Sequence, residues 1–208
     1  FARLRGVLAP FGRMICLVRD GDAPATLAAW LNAQGAGDAQ MHICERMGGA
    51  QQRLRQTTAG NFDLTDIAAP VAVAVALPAD VGLSRASGLP DDTFHHDGQI
   101  TKRPVRALTL SALAPRPGEH LWDLGAGSGS ISVEWCLAGG RASAVELKPT
   151  RVANIARNIK DFGLSHLMHV NEGASLDAIQ HLPDPDAVFI GGGGNAALFE
   201  ALFDRLQK

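Results

Sequence analysis

"LWDLGAGSGS", residues 121–130, decides the fold. An apolar run ends in Asp123, and glycines follow at 125, 127 and 129. A strand that ends in such a turn brings bare backbone close to a ligand at the start of the next helix. A nucleotide phosphate, a dinucleotide and a sulfonium cofactor all use turns of this kind. A Walker A loop needs Lys and Ser/Thr after its last glycine; here Ser130 and Ile131 follow, which excludes it. The dinucleotide fingerprint needs Gly or Ala three places after its second glycine. Counted from Gly127, that place holds Ser130, so it fails as well. What remains is Asp123-x-Gly125-x-Gly127-x-Gly129 behind a strand.

Working outward, the chain around the motif alternates regularly. A helix over 102–113 leads to the strand at 120–124, and the glycine turn opens a helix over 129–138. Further strands are expected at 142–147, 167–173 and 186–194, with helices at 149–162 and 175–181. Such alternation with apolar strands predicts a parallel, doubly wound sheet whose ligands sit at the strands' carboxyl ends. Glu146 ends the second of these strands, where an acid can accept hydrogen bonds from both hydroxyls of a ribose.

The first part of the chain reads as a smaller α/β segment. Residues 13–19, 41–47 and 70–78 are strand candidates, and "APATLAAWLNAQG" is a helix that ends at Gly35. "SRASGLPDDTFHHDGQ" (84–99) is rich in Gly, Pro and Asp and reads as a linker or loop. The expected division is 1–86, a linker over 87–93, and 94–208. No internal repeat or low-complexity tract interrupts it.

The 208 residues are 46% hydrophobic and 19% charged, with a formal net charge of -2. That balance gives no electrostatic reason to expect nucleic acid or an anionic membrane as partner. "PVAVAVALP" (70–78) is far short of the roughly 18 apolar residues of a membrane helix. Cys16, Cys44 and Cys136 are odd in number and widely spaced, which suggests neither a disulfide framework nor a zinc site. Reduced thiols in a cytoplasmic protein are the expectation. The chain starts without methionine and stops on an amphipathic pattern, "ALFEALFDRLQK" (197–208), after which another strand is expected. An unpaired edge at "DAVFI" is then expected to favour self-association into a homo-oligomer.

The motif resembles that of the class I S-adenosylmethionine (AdoMet) methyltransferases, so the fold expected for 94–208 is their Rossmann-like parallel sheet, incomplete at the carboxyl end. A sulfonium that carries an ammonium group is cationic, so an adjacent carboxylate is useful and a phosphate nest is unnecessary. The resemblance implies that Gly125, Ala126, Gly127, Ser128 and Gly129 pass under the cofactor, with Asp123 near its amino-acid end. Glu146 would hold the ribose, and Gly173 and Ala174 in "NEGAS" (171–175) would meet adenine through backbone groups.

"LPDDTF" (89–94), "DGQITKRPVRALTLSAL" (97–113) and "PDAVFIGGGG" (185–194), taken with the glycine motif, look like the decarboxylating precorrin-6Y methyltransferases of cobalamin biosynthesis. "RDGDAPATLAAWL" (19–31) and "ERMGGAQQRLR" (45–55) resemble the carboxyl-terminal part of the tetrapyrrole methylase domain that precedes this module in fused enzymes. The family implies methylation of carbon 15 of a precorrin and decarboxylation of its carbon 12 acetate, and contact of Thr101 with AdoMet. It leaves methylation of carbon 5 in doubt, because the first methylase's own cofactor loop is missing here.

A substrate with many carboxylates calls for a basic rim. Lys102 and Arg106, four apart on one helix face, are the residues placed for it. "GGGG" (191–194) lacks the polar-Pro-Pro-aromatic element used on amide or adenine nitrogens, so Gly192 and Gly193 suit a carbon nucleophile instead. His95, His96 and Asp97 are adjacent loop residues that rarely converge on one ion, and methyl transfer to carbon needs no metal. No feature marks a proton donor for the decarboxylation. The competing readings are an RNA or protein methyltransferase on the same fold, and a non-catalytic fragment.

Overall fold

The computed structural model describes residues 1–206, which divide into two compact units, one up to residue 83 and one from residue 84 onward. Among the described residues no helix is long and apolar enough to cross a membrane.

The first unit is a four-stranded sheet formed by β1 (Arg13–Val18), β2 (Gln40–Glu45), β3 (Arg53–Thr58) and β4 (Val71–Ala76), with one helix, α1 (Ala23–Ala33). The strand order is β1-β4-β2-β3, and every pairing is antiparallel. Leu27, Ala28 and Leu31 of α1 pack with Met41, Ile43, Val71, Val73 and Val75, one face of the alternating strands. The strand β3, "RLRQTT", was not expected, because its polar alternation carries no apolar signal. Its arginines explain it: Arg53 and Arg55 reach the buried carboxylate of Glu45 on β2, at 2.7 and 3.0 Å. The hydrogen bond from Arg53 is the main reason that the Glu45 carboxyl is held down at about 2.

The second unit is the expected parallel sheet. It comprises β5 (His120–Leu124), β6 (Arg141–Glu146), β7 (Met168–Glu172) and β8 (Ala187–Ile190) in the order β7-β6-β5-β8. Registers such as Asp123 opposite Ala144 and Phe189 fix which side chains share a face. Five helices surround it: α2 (Arg103–Leu113), α3 (Ser130–Leu137), α4 (Pro149–Asp161), α5 (Ser175–Ala178) and α6 (Ala196–Leu206). Trp122, Leu124, Val145 and Ile190 meet Ile179 of the α5 end and Leu198 and Leu202 of α6. α3 and α4 lie against β5, β6 and β7. Each crossover therefore returns a strand parallel to the last, and all four strands end on the same edge. Among the described residues β8 pairs only with β5.

The stretch expected as a linker is packed instead. The N–H groups of Gly88 and Leu89 donate to the buried carboxylate of Glu134, at 2.6 and 2.9 Å, and Leu89 is itself buried. Its Gly and Pro content reflects a tightly turned chain, and the boundary between the units falls at 83/84.

Candidate active site

Four strand ends and one preceding segment surround a cleft of about 550 Å³. That is within the ordinary range for a small-molecule site. Gly125 and Ala126 follow β5, Glu146 ends β6, Gly173 and Ala174 follow β7, and Gly192 and Gly193 follow β8. Thr101, just before α2, completes the group. Of the residues that the motif and the resemblance suggested, these and Gly127 are the ones the fold brings together.

The glycine loop is held by its own backbone. The N–H groups of Gly125 and Ala126 both donate to the carbonyl of Val145, at 2.9 and 3.0 Å, which ties the loop to β6. Gly125, at φ 71°, has no room for a side chain: a Cβ there would stand 2.5 Å from the carbonyl oxygen of Gly192. Gly127, at φ 61°, differs, since the nearest atom to a Cβ would be the Gln99 carbonyl oxygen at 3.4 Å. One glycine serves loop-to-loop packing and the other keeps the cleft open.

Glu146 is buried yet reaches the cleft. Its Oε2 accepts from the Gly127 N–H at 2.8 Å and its Oε1 from the Lys148 N–H at 3.0 Å. A carboxylate oxygen can accept more than one hydrogen bond, so both oxygens keep capacity for a vicinal diol. The acid thus joins the glycine loop to the end of β6 while presenting acceptors to a ligand. Leu147 beside it is 66% exposed and lines the cleft, as an apolar surface for a flat ring.

Several expected site residues stand elsewhere. Arg106 is withdrawn from the substrate rim: it is fully buried, pairs with Glu134 at 2.7 Å and Asp91 at 3.1 Å, and donates to the carbonyls of Leu89 and Thr101. The Phe94 ring lies 4.7 Å from its guanidinium carbon. Spacing of four places two residues on one helix face but does not say that the face is the outer one. Lys102 precedes the helix rather than sharing its face; it is exposed, 3.9 Å from Asp91, and outside the cleft wall. Ser128 and Gly129 lie below the cleft. A Cβ on Gly129 would meet Met168 and Ile155, and the buried Ser128 offers its carbonyl to Asn158.

Asp123 is also beneath the loop and not in the cleft wall. Its Oδ2 accepts from the hydroxyl of Ser132 at 2.7 Å and from the N–H of the same residue, which ties β5 to the first turn of α3. Its Oδ1 has no partner among the described residues. Burial raises this carboxyl from 3.8 to about 6, and the nearby Glu146 charge adds to the rise. The folded chain therefore keeps a proton that the unfolded chain releases. Stability attributable to this group falls as pH rises from about 4 to about 6, then stays level. Replacing Asp123 by Asn is expected to remove that loss. Relative to the parent, the variant should gain on the order of 1–3 kcal/mol between pH 4 and pH 7. Urea unfolding at the two pH values measures it; an unchanged difference would mean that Asp123 is ionised in the folded state at pH 4.

Residues that sequence reasoning did not place also matter. Gln99, Lys148 and Arg151 line the cleft, and the Nε of Arg151 donates to Asp97 at 2.8 Å. Asn158, fully buried on α4, had one signal available: a polar residue between Ile155 and Ile159 on the helix's apolar face.

A family model described as a precorrin methyltransferase domain matches residues 92–208. The chain belongs to that family. The precorrin-6Y C(5,15)-methyltransferase [decarboxylating] of Sinorhizobium sp is 45% identical to it over 211 residues, which cover 99% of this chain and 51% of that protein. The chain thus spans about half the length of that curated relative. A probable cobalt-precorrin-6B C(15)-methyltransferase (decarboxylating) of Pyrobaculum calidifontis is 34% identical over 128 residues, 58% of this chain and 66% of that one. Among solved structures, the C-terminal domain of the precorrin-6Y C5,15-methyltransferase from Rhodobacter capsulatus superposes with a TM-score of 0.59 at 56% identity, over 60% of this chain and 67% of that chain. The parallel sheet with its cleft at the strand ends is the class I AdoMet-methyltransferase fold.

Proposed function

We propose that the second unit binds AdoMet and methylates carbon 15 of a precorrin, with loss of the carbon 12 acetate carboxyl as carbon dioxide. The observation that carries this reading is the cleft itself. In a chain of the precorrin methyltransferase family, a glycine loop without phosphate-binding residues faces a buried carboxylate suited to a ribose. The names of the Sinorhizobium and Pyrobaculum relatives support the substrate class and the decarboxylation.

Bound AdoMet supplies an electrophilic methyl group, already activated by the sulfonium charge. What the chain supplies is position and dryness. Glu146 holds the ribose diol, Gly127 leaves space for the cofactor's approach, and Thr101 offers a hydroxyl from the facing segment. Gly192 and Gly193 present backbone without side chains, where a macrocycle carbon can come close. Lys102 stays in the reading as an outer contact for substrate carboxylates. Electrons left by the departing carboxyl enter the conjugated ring and return to the side-chain carbon when it takes up a proton from solvent, so the protein's task in that step is orientation. Self-association into a homo-oligomer and a cytoplasmic location, where AdoMet and reduced thiols coexist, belong to the same reading.

Calorimetric titration with S-adenosylhomocysteine tests the cofactor assignment. Saturable binding of one ligand per chain is expected, and a folded chain that takes up none would overturn the reading in favour of a non-catalytic fragment.

A further inference from the structure

One wall of the cleft, Gln99 to Thr101, belongs to an irregular segment that has no strand or helix to hold it in place. Arg106 of α2 holds its Thr101 carbonyl, and the rest of its anchorage is on α4 and the residue after it. The Phe94 ring stacks on Phe162 at 5.3 Å, His95 Nε2 meets Asp161 at 2.8 Å, and Asp97 meets Arg151 at 2.8 Å. Asp97 in turn accepts from the Gln99 N–H at 3.0 Å.

Asn158 differs from these ties in two respects: it is fully buried, and it reaches the glycine loop as well. Its Oδ1 accepts from the His95 N–H at 2.8 Å. Its Nδ2 donates to the His95 carbonyl at 3.0 Å and to the Ser128 carbonyl at 2.9 Å. A carboxamide can accept once and donate twice in this way, whereas aspartate cannot donate and leucine can do neither. On a helix face that otherwise carries Ile155 and Ile159, an apolar residue would pack without needing partners. The polar choice therefore calls for a reason beyond filling the core.

We propose that Asn158 is a positioning residue for the cofactor: it clamps the 94–101 segment to the glycine loop and so sets where the Gln99–Thr101 wall of the cleft stands against Gly127. This rests on the AdoMet reading. The geometry at that point is backbone against backbone, with the Gln99 carbonyl 3.4 Å from the Cβ position of Gly127. At this contact distance, a shift of the segment by a fraction of an ångström moves one cleft wall against the other.

Asn158→Leu fills the position with an apolar side chain but removes all three hydrogen bonds, and Asp97→Asn weakens a second tie at the surface, where folding is not at risk. Hydrogen exchange without ligand should show the amides of 95–99 opening about tenfold faster in Asn158→Leu, with β5 and β6 unchanged. S-adenosylhomocysteine affinity should fall about tenfold, and less in Asp97→Asn. In turnover, the KM for AdoMet should rise while the tetrapyrrole KM and the kcat at saturating AdoMet hold. General loss of structure would move all of these together. If the parent binds the ligand and a folded Asn158→Leu binds and exchanges like it, the role of Asn158 is refuted alone. If the parent binds none, the AdoMet reading fails, and this role with it.

Discussion

A Gly127→Val chain is expected to fold and to bind S-adenosylhomocysteine at least roughly 100-fold more weakly than the parent, a loss of about 2.7 kcal/mol. The nearest atom to a Cβ at this position is 3.4 Å away, so the folded loop can admit one carbon. The two γ-methyls of valine then have the cleft as their available space. Backbone strain adds to the effect, because φ 61° lies in the left-handed region, which costs a β-branched residue roughly 1–2 kcal/mol. Gly125→Val would be a poorer test, since a Cβ there collides with the backbone of Gly192 and any loss of binding could follow from a displaced loop. Titration together with a thermal melt separates the two effects. A folded Gly127→Val chain of parental affinity would place the ligand elsewhere.

Glu146→Ala should weaken the same ligand by roughly 10- to 100-fold, the size expected for losing hydrogen bonds to a charged group. Two losses combine here. The ribose loses its acceptors, and the N–H groups of Gly127 and Lys148 lose the carboxylate that holds them. A ligand-side comparison isolates the first. The parent should favour S-adenosylhomocysteine over its 2′-deoxy analogue by about tenfold, and Glu146→Ala should be nearly indifferent between them. Persistent discrimination in the variant would remove Glu146 from the ribose. Glu146→Gln is not a neutral substitute, because its amide nitrogen would turn a donor toward one of the two backbone N–H groups.

The second unit was legible because its signals are local. Apolar strands alternate with helices, and three glycines and an acid fall where a parallel sheet must place them. The polar packing was not legible in the same way. Arg106 and Glu134 lie 28 residues apart in the chain, and nothing in either neighbourhood says that they meet in the core. Composition alone reads 84–99 as a linker or loop, since Gly and Pro mark turns whether the turns are free or packed. Asp123 was assigned to the cofactor from the motif. In the fold it lies beneath the loop, and its bond to Ser132 fixes the start of α3. In the first unit, β3 is held by ion pairs to Glu45, and strand recognition that relies on apolar alternation passes over it.

Transfer of the methyl group can itself be followed. The chain is incubated with a precorrin that awaits methylation at carbon 15 and with AdoMet that carries an isotopically labelled methyl; the tetrapyrrole is then analysed by mass spectrometry and NMR. One labelled methyl group on carbon 15 and loss of the carbon 12 acetate carboxyl as carbon dioxide are expected, with label transfer lost in Gly127→Val at AdoMet concentrations that suffice for the parent. Saturable cofactor binding with no label on the tetrapyrrole, and label instead on an added RNA or protein, would contradict this reading.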